Sequence, residues 1–152
     1  MRNYKLNEEL YKADVEILDR YQAFSKELTR ISLICIGIMG FLLKKIIFDP
    51  PTNNICLVDN FHKLSSMLYG SLFYLIISTA CSIFHLYFSS DSLTHIISIC
   101  RFTENKKYDK AEKEKSLRDF DFKFCSFLLL TSCSTLIFGV LLGAFFYFYF
   151  IP

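Results

Sequence analysis

Paired cysteines at metal or redox spacing are absent from this sequence. Its six cysteines, Cys35, Cys56, Cys81, Cys100, Cys125 and Cys133, stand nowhere as CxxC, which excludes a local zinc or thioredoxin-type site. HExxH, a glycine-rich phosphate loop, GxSxG and a carboxylate pair inside an apolar run are missing as well. Without any of these there is no recognisable reaction centre, and the chain reads as a non-enzyme with no metal and no cofactor. Excess charge of one sign is lacking too. The 17 basic and 15 acidic residues are mixed along the polar segments for a net charge of +2, which leaves no nucleic-acid footprint. Proline and glycine are absent between Met1 and Gly37, so nothing in that stretch bars one continuous helix.

What the chain does contain is three long apolar runs, at about 28–48, 64–88 and 124–151. Each is near or above the roughly 20 residues that cross a hydrocarbon core of about 30 Å. The second and third hold no Lys, Arg, Asp or Glu. The expected fold class is therefore all-α integral membrane, a single membrane domain over 1–152 with three transmembrane helices. Residues 6–27 and 89–123 are expected to form helical cytoplasmic extensions, a stalk. The first run follows a charged stretch and lacks a small-residue cleavage site, so it reads as an uncleaved anchor. Pro50 and Pro51 end the first helix by Asp49, and 49–63 reads as a short, turn-rich loop.

Basic residues orient the chain in a cell membrane, because short loops rich in them stay in the cytoplasm. Residues 1–30 carry six and 101–123 carry eight, against one in 49–63 and none at the carboxyl end. The amino end is expected inside and the carboxyl end outside, with Lys44 and Lys45 snorkelling to the headgroups. Only Cys56 then faces an oxidising side, and a disulfide between subunits is its single option.

Ile17, Tyr21, Phe24, Leu28, Ile31 and Cys35 recur at spacings of four and three, a heptad stripe. Ile17, Tyr21, Phe24 and Leu28 are accordingly expected to pack against another helix of the stalk. Leu117, Phe120, Phe124 and Phe127 make a similar stripe. The charged segment between Phe102 and that stripe has acid-before-base pairs such as Glu114 with Arg118, which favour helix, and the SSDS tract at 89–92 is a candidate bend. In the third run, Thr135, Gly139 and Gly143 follow the small-xxx-small spacing that brings backbones close, either within one subunit or between copies. Ser66 with Gly70, Ser78 with Ser82, and Gly37 with Gly40 offer further small patches. The terminal FFYFYFIP reads as an interfacial anchor.

An ionisable residue in a span is costly, so His85 is the sharpest polar signal. Cys81 lies one turn before it, and Asp91 and His95 stand one turn apart further on. Together they have the donors of an intramembrane polar, proton-linked or metal site. A structural or interfacial role, with His85 at the headgroups and Asp91 and His95 in the solvated stalk, is the preferred reading.

The layout, with ILDRYQAFSKELTRIS entering the first span and HLYFSSDSLTHIISICR leaving the second, resembles that of small bacterial inner-membrane proteins of uncharacterised function. Some proteins of that kind act as membrane effectors in anti-phage defence, and the resemblance implies such a setting. The expected function is a self-associating or partner-binding membrane subunit, its partners being the lipid bilayer and a second copy or a cytoplasmic protein. The alternative is a pore-forming or membrane-perturbing effector, whose path would be lined by Ser and Thr at positions 78, 79, 82, 131, 132, 134 and 135.

Overall fold

The computed structural model describes the backbone of residues 8–48 and 55–150, and the side chains of residues 12–44 and 66–148. Three helices account for it: α1 (Glu8–Phe48), α2 (Ile55–Glu104) and α3 (Tyr108–Phe150). The described residues contain no strand and are helical apart from the turn between α2 and α3. α1 stops ahead of Pro50, as its ring and missing N–H require. α2 starts earlier than the apolar run does, so part of the expected 49–63 loop is helical. Cys56 lies in that part, and its side chain, with the disulfide expectation attached to it, is outside the described residues.

α2 passes through the SSDS tract without a break in the helix. Hydroxyls there satisfy themselves one turn back: Ser90 donates to the Leu86 carbonyl at 3.0 Å and Ser92 to the Phe88 carbonyl at 3.1 Å. These two hydroxyls are satisfied without a bend in the helix, while the buried Ser89 hydroxyl has no hydrogen-bond partner. α2 ends in a left-handed cap, where Lys106 takes φ 56°. The N–H of Lys107 donates to the Phe102 carbonyl at 2.9 Å and that of Lys106 to the Thr103 carbonyl at 3.1 Å. This 6→1 and 5→2 pair reverses the chain within a few residues and lets α3 start at once.

Two helical stretches among the described residues are long and apolar enough to cross a membrane, Ser66–Glu104 and Tyr108–Phe148. α1 is not a third. Among the described residues its apolar stretch, 31–43, is bounded by Arg30 and Lys44.

The chain divides into two compact units, one of residues 1–26 and 82–130, the other of residues 27–81 and 131–152. In the first, Leu18, Ile96, Ile99, Cys125 and Leu128 are buried beside the polar Ser25, His85 and Asp121. Phe88 and Phe124 meet edge to face at 4.8 Å, and the Ser25 hydroxyl donates to the Ser82 carbonyl at 3.0 Å. In the second unit Met39, Leu68, Leu75 and Phe146 form the core. Phe146 is thus a packing residue, unlike its exposed neighbours Phe145, Tyr147 and Phe148 in the terminal aromatic tract.

The heptad stripes have the expected period and a different phase. Ile17, Tyr21 and Phe24 are 47%, 44% and 49% exposed, and only Leu28 of the expected stalk-packing set is buried, in the second unit. The helix buries Leu18, Ser25 and Ser32 instead, the same stripe moved on by one residue. α3 does likewise: Phe120 and Phe127 face out while Asp121, Cys125 and Leu128 are buried. At Ser25 and Ser32 the physical reason is size: a small side chain lets the helix backbones approach, and an aromatic ring does not fit in the gap so formed.

Candidate functional site

Within the second unit the packing seam is built from hydroxyls and glycines. Ser78 and Ser132 lie face to face: the Ser78 hydroxyl donates to the Ser132 carbonyl at 2.9 Å and the Ser132 hydroxyl to the Ser78 carbonyl at 3.0 Å. Ser32 reaches the same point from α1, its oxygen 3.1 Å from that of Ser78 while its hydroxyl donates to the Leu28 carbonyl. One heptad along α2, the Ser71 hydroxyl donates to the Gly139 carbonyl at 2.7 Å. Seven residues along α2 are matched by seven along α3 running the other way, so equivalent faces meet repeatedly.

Glycine is required on this seam. A Cβ on Gly139 would sit 3.0 Å from Leu75 Cγ and 3.2 Å from the Ser71 carbonyl oxygen, and a Cβ on Gly143 would collide with the end of Met39. Thr135, the third member of the small-residue stripe, is half-buried and donates back to the Thr131 carbonyl at 2.8 Å. Gly37 and Gly40, by contrast, have open space where a Cβ would go, so their smallness serves no contact among the described residues.

The first unit carries the chemistry-bearing cluster. His95, on α2, is hydrogen-bonded through Nδ1 to Glu114 Oε2 of α3 at 2.6 Å. Its other nitrogen, Nε2, lies 3.5 Å from Asp121 Oδ2 and 3.9 Å from Asp91 Oδ2. The turn at Lys106 makes this possible, since it folds α3 back along α2 and sets Glu114 and Asp121, seven residues apart, on the face that meets His95. Close by in sequence, Arg118 turns to Asp119 at 2.8 Å and to Asp14 of α1 at 3.8 Å. The Glu114 with Arg118 pair expected along the helix gives way to these contacts, because Glu114 finds the imidazole across the seam.

Of the residues singled out from sequence, His85 is fully buried in this unit with Nδ1 lacking a hydrogen-bond partner, and the Cys125 thiol approaches its carbonyl at 4.0 Å. Cys81 belongs to the other unit, where it is half-buried. Asp91 and His95 are brought together, as one turn of helix dictates. Sequence reading missed Glu114 and Asp121 as their partners. The signal that locates them is the heptad itself: Glu114, Asp121 and Leu128 fall seven apart, and a carboxylate on a buried stripe needs a partner.

The chain matches no protein-family model, no curated protein and no solved structure.

Proposed function

We propose that the chain is a non-enzymatic, three-span membrane subunit that assembles with further copies of itself through the large side chains its own packing leaves outside. One observation carries this reading: Ile17, Tyr21, Phe24, Ile97, Leu117 and Phe120, all outside the three apolar runs, are exposed beside charged neighbours while Leu18, Ser25, Ile96 and Asp121 of the same helices are buried. Apolar side chains of that size in water favour association, at about 25 cal/mol per Å² buried. The serines support the same reading against a pore. Ser78 and Ser132, two of the residues that would line a polar path, bond to each other across the seam.

Phe24→Asp is expected to leave the melting temperature of the single chain nearly unchanged, because the ring is half-exposed, while shifting the assembly to monomer in detergent. Size-exclusion chromatography with light scattering checks this. An oligomer of unaltered mass in the variant would mean that the stripe faces solvent, and the self-association reading would fail.

In this reading α1 is the third span, its Lys44 snorkelling to the headgroups, with the amino end inside and the carboxyl end outside a cell membrane. A phosphatase fused after Pro152 should be active and a fluorescent protein at the same place dark. The reverse pattern would place the carboxyl end in the cytoplasm and overturn this topology.

A further inference from the structure

The cluster around His95 holds an unresolved electrostatic conflict. Glu114 accepts the hydrogen bond from Nδ1 at 2.6 Å, which turns Nε2, and the lone pair it carries when unprotonated, away from Glu114. That lone pair faces Asp121 Oδ2 at 3.5 Å and Asp91 Oδ2 at 3.9 Å. The Asp121 side chain is only 9% exposed, and its Oδ2 is buried with no hydrogen-bond partner. Three electron-pair donors thus converge from two helices, one of them a buried carboxylate oxygen without a hydrogen-bond partner, and such a group is expensive unless a cation lies beside it.

Two cations answer the chemistry, and distance chooses between them. A proton on Nε2 would draw a carboxylate to about 2.7–2.9 Å, the length of an N⁺–H···O⁻ bond, well inside the separations found. A zinc ion about 2.1 Å from each donor in tetrahedral geometry holds its ligands about 3.4 Å apart. The three donor atoms lie within 4.8 Å of one another, with the two nitrogen-to-oxygen separations close to that edge. An imidazole beside two carboxylates suits zinc and related transition ions better than calcium or magnesium, which take oxygen ligands.

We propose that Asp91, His95 and Asp121 bind a divalent transition-metal ion of the zinc type, with Glu114 as the outer carboxylate that orients His95. The bound ion ties α2 to α3 within this unit and leaves its fourth coordination position for water. Asp91, with its side chain 49% exposed, gives the ion its route from solvent, and Asp121 is the buried arm.

The test uses the full chain purified in detergent, stripped with a chelator and titrated with Zn²⁺ by calorimetry, with Co²⁺ as a spectroscopic probe. One Zn²⁺ per chain, visible d–d absorption on adding Co²⁺ and a higher melting temperature with metal are expected. Asp121→Asn, nearly the same shape, should weaken Zn²⁺ binding at least a hundredfold and remove the metal-dependent rise in melting temperature. Glu114→Gln should weaken it ten- to a hundredfold, the usual reach of an outer-shell carboxylate. Metal-free melting of each variant reports folding separately from binding. Failure of the parent chain to take up Zn²⁺, or uptake by Asp121→Asn with undiminished affinity, would overturn the assignment, the latter by placing the ion on other donors such as the cysteines.

Discussion

Replacing Gly139 with leucine should destabilise the folded chain by about 3 kcal/mol, the upper end of the usual cost of forcing extra carbons into a filled space. The first added carbon alone would stand 3.0 Å from Leu75 Cγ and 3.2 Å from the Ser71 carbonyl oxygen. Leu75 is itself fully buried in the core, and the carbonyl belongs to the backbone of α2. The helices must separate. Separation also breaks the 2.7 Å bond from Ser71 to the Gly139 carbonyl and loosens the neighbouring serine contacts. Val140→Leu is the control, since Val140 is exposed on another face of α3, and it should change stability by less than about 0.5 kcal/mol. Gly143→Ala should fall between the two, because its nearest obstacle is the flexible end of Met39 rather than backbone. Thermal unfolding in one detergent ranks the three. Equal shifts for Gly139→Leu and Val140→Leu would show that α3 does not approach α2 closely at this face.

The period of the seams was legible in the sequence and their phase was not. Spacings of three and four fix which residues share a stripe, yet a heptad has neighbouring stripes of the same spacing. Ile17, Tyr21, Phe24 and Leu18, Gln22, Ser25 are two such stripes on α1. Hydrophobicity picks the first, as it should for a helix whose core is held by the exclusion of water. Where helices pack through close backbone approach, small size decides instead, and the serines take the inside. Asp121 illustrates the same failure. Read as one more charge in a charged segment, it looks solvated, but it lies on the Glu114–Asp121–Leu128 stripe and is buried. Three spans are a reading of run length; two of the runs lie on stretches long and apolar enough to cross a membrane, and in α1 Arg30 and Lys44 interrupt the run. Gly139 and Gly143 were readable because glycine has only one advantage at that spacing, the missing Cβ.

If small size rather than hydrogen bonding holds the seam together, two substitutions at Ser78 should differ widely. Ser78→Ala removes one hydroxyl, but Ser132 keeps its 3.0 Å bond to the Ser78 carbonyl and Ser32 its bond to the Leu28 carbonyl. A bond between helices of a membrane protein contributes about 0.6 kcal/mol on average, so the alanine variant should lose no more than about 1 kcal/mol. Ser78→Leu removes the same hydroxyl and adds bulk at a position with no exposed surface, where the Ser132 and Ser32 oxygens already lie within 3.2 Å of the side-chain oxygen. The expected loss is about 3 kcal/mol, again the overpacking scale. Chemical or thermal unfolding of both variants under the same conditions gives the comparison. Because both changes delete the same hydrogen bonds, the gap of about 2 kcal/mol between them isolates the cost of bulk. Equal losses would make the hydroxyl network the source of cohesion, and small losses in both would mean that Ser78 faces a space wide enough to hold a leucine, as the wall of a pore would.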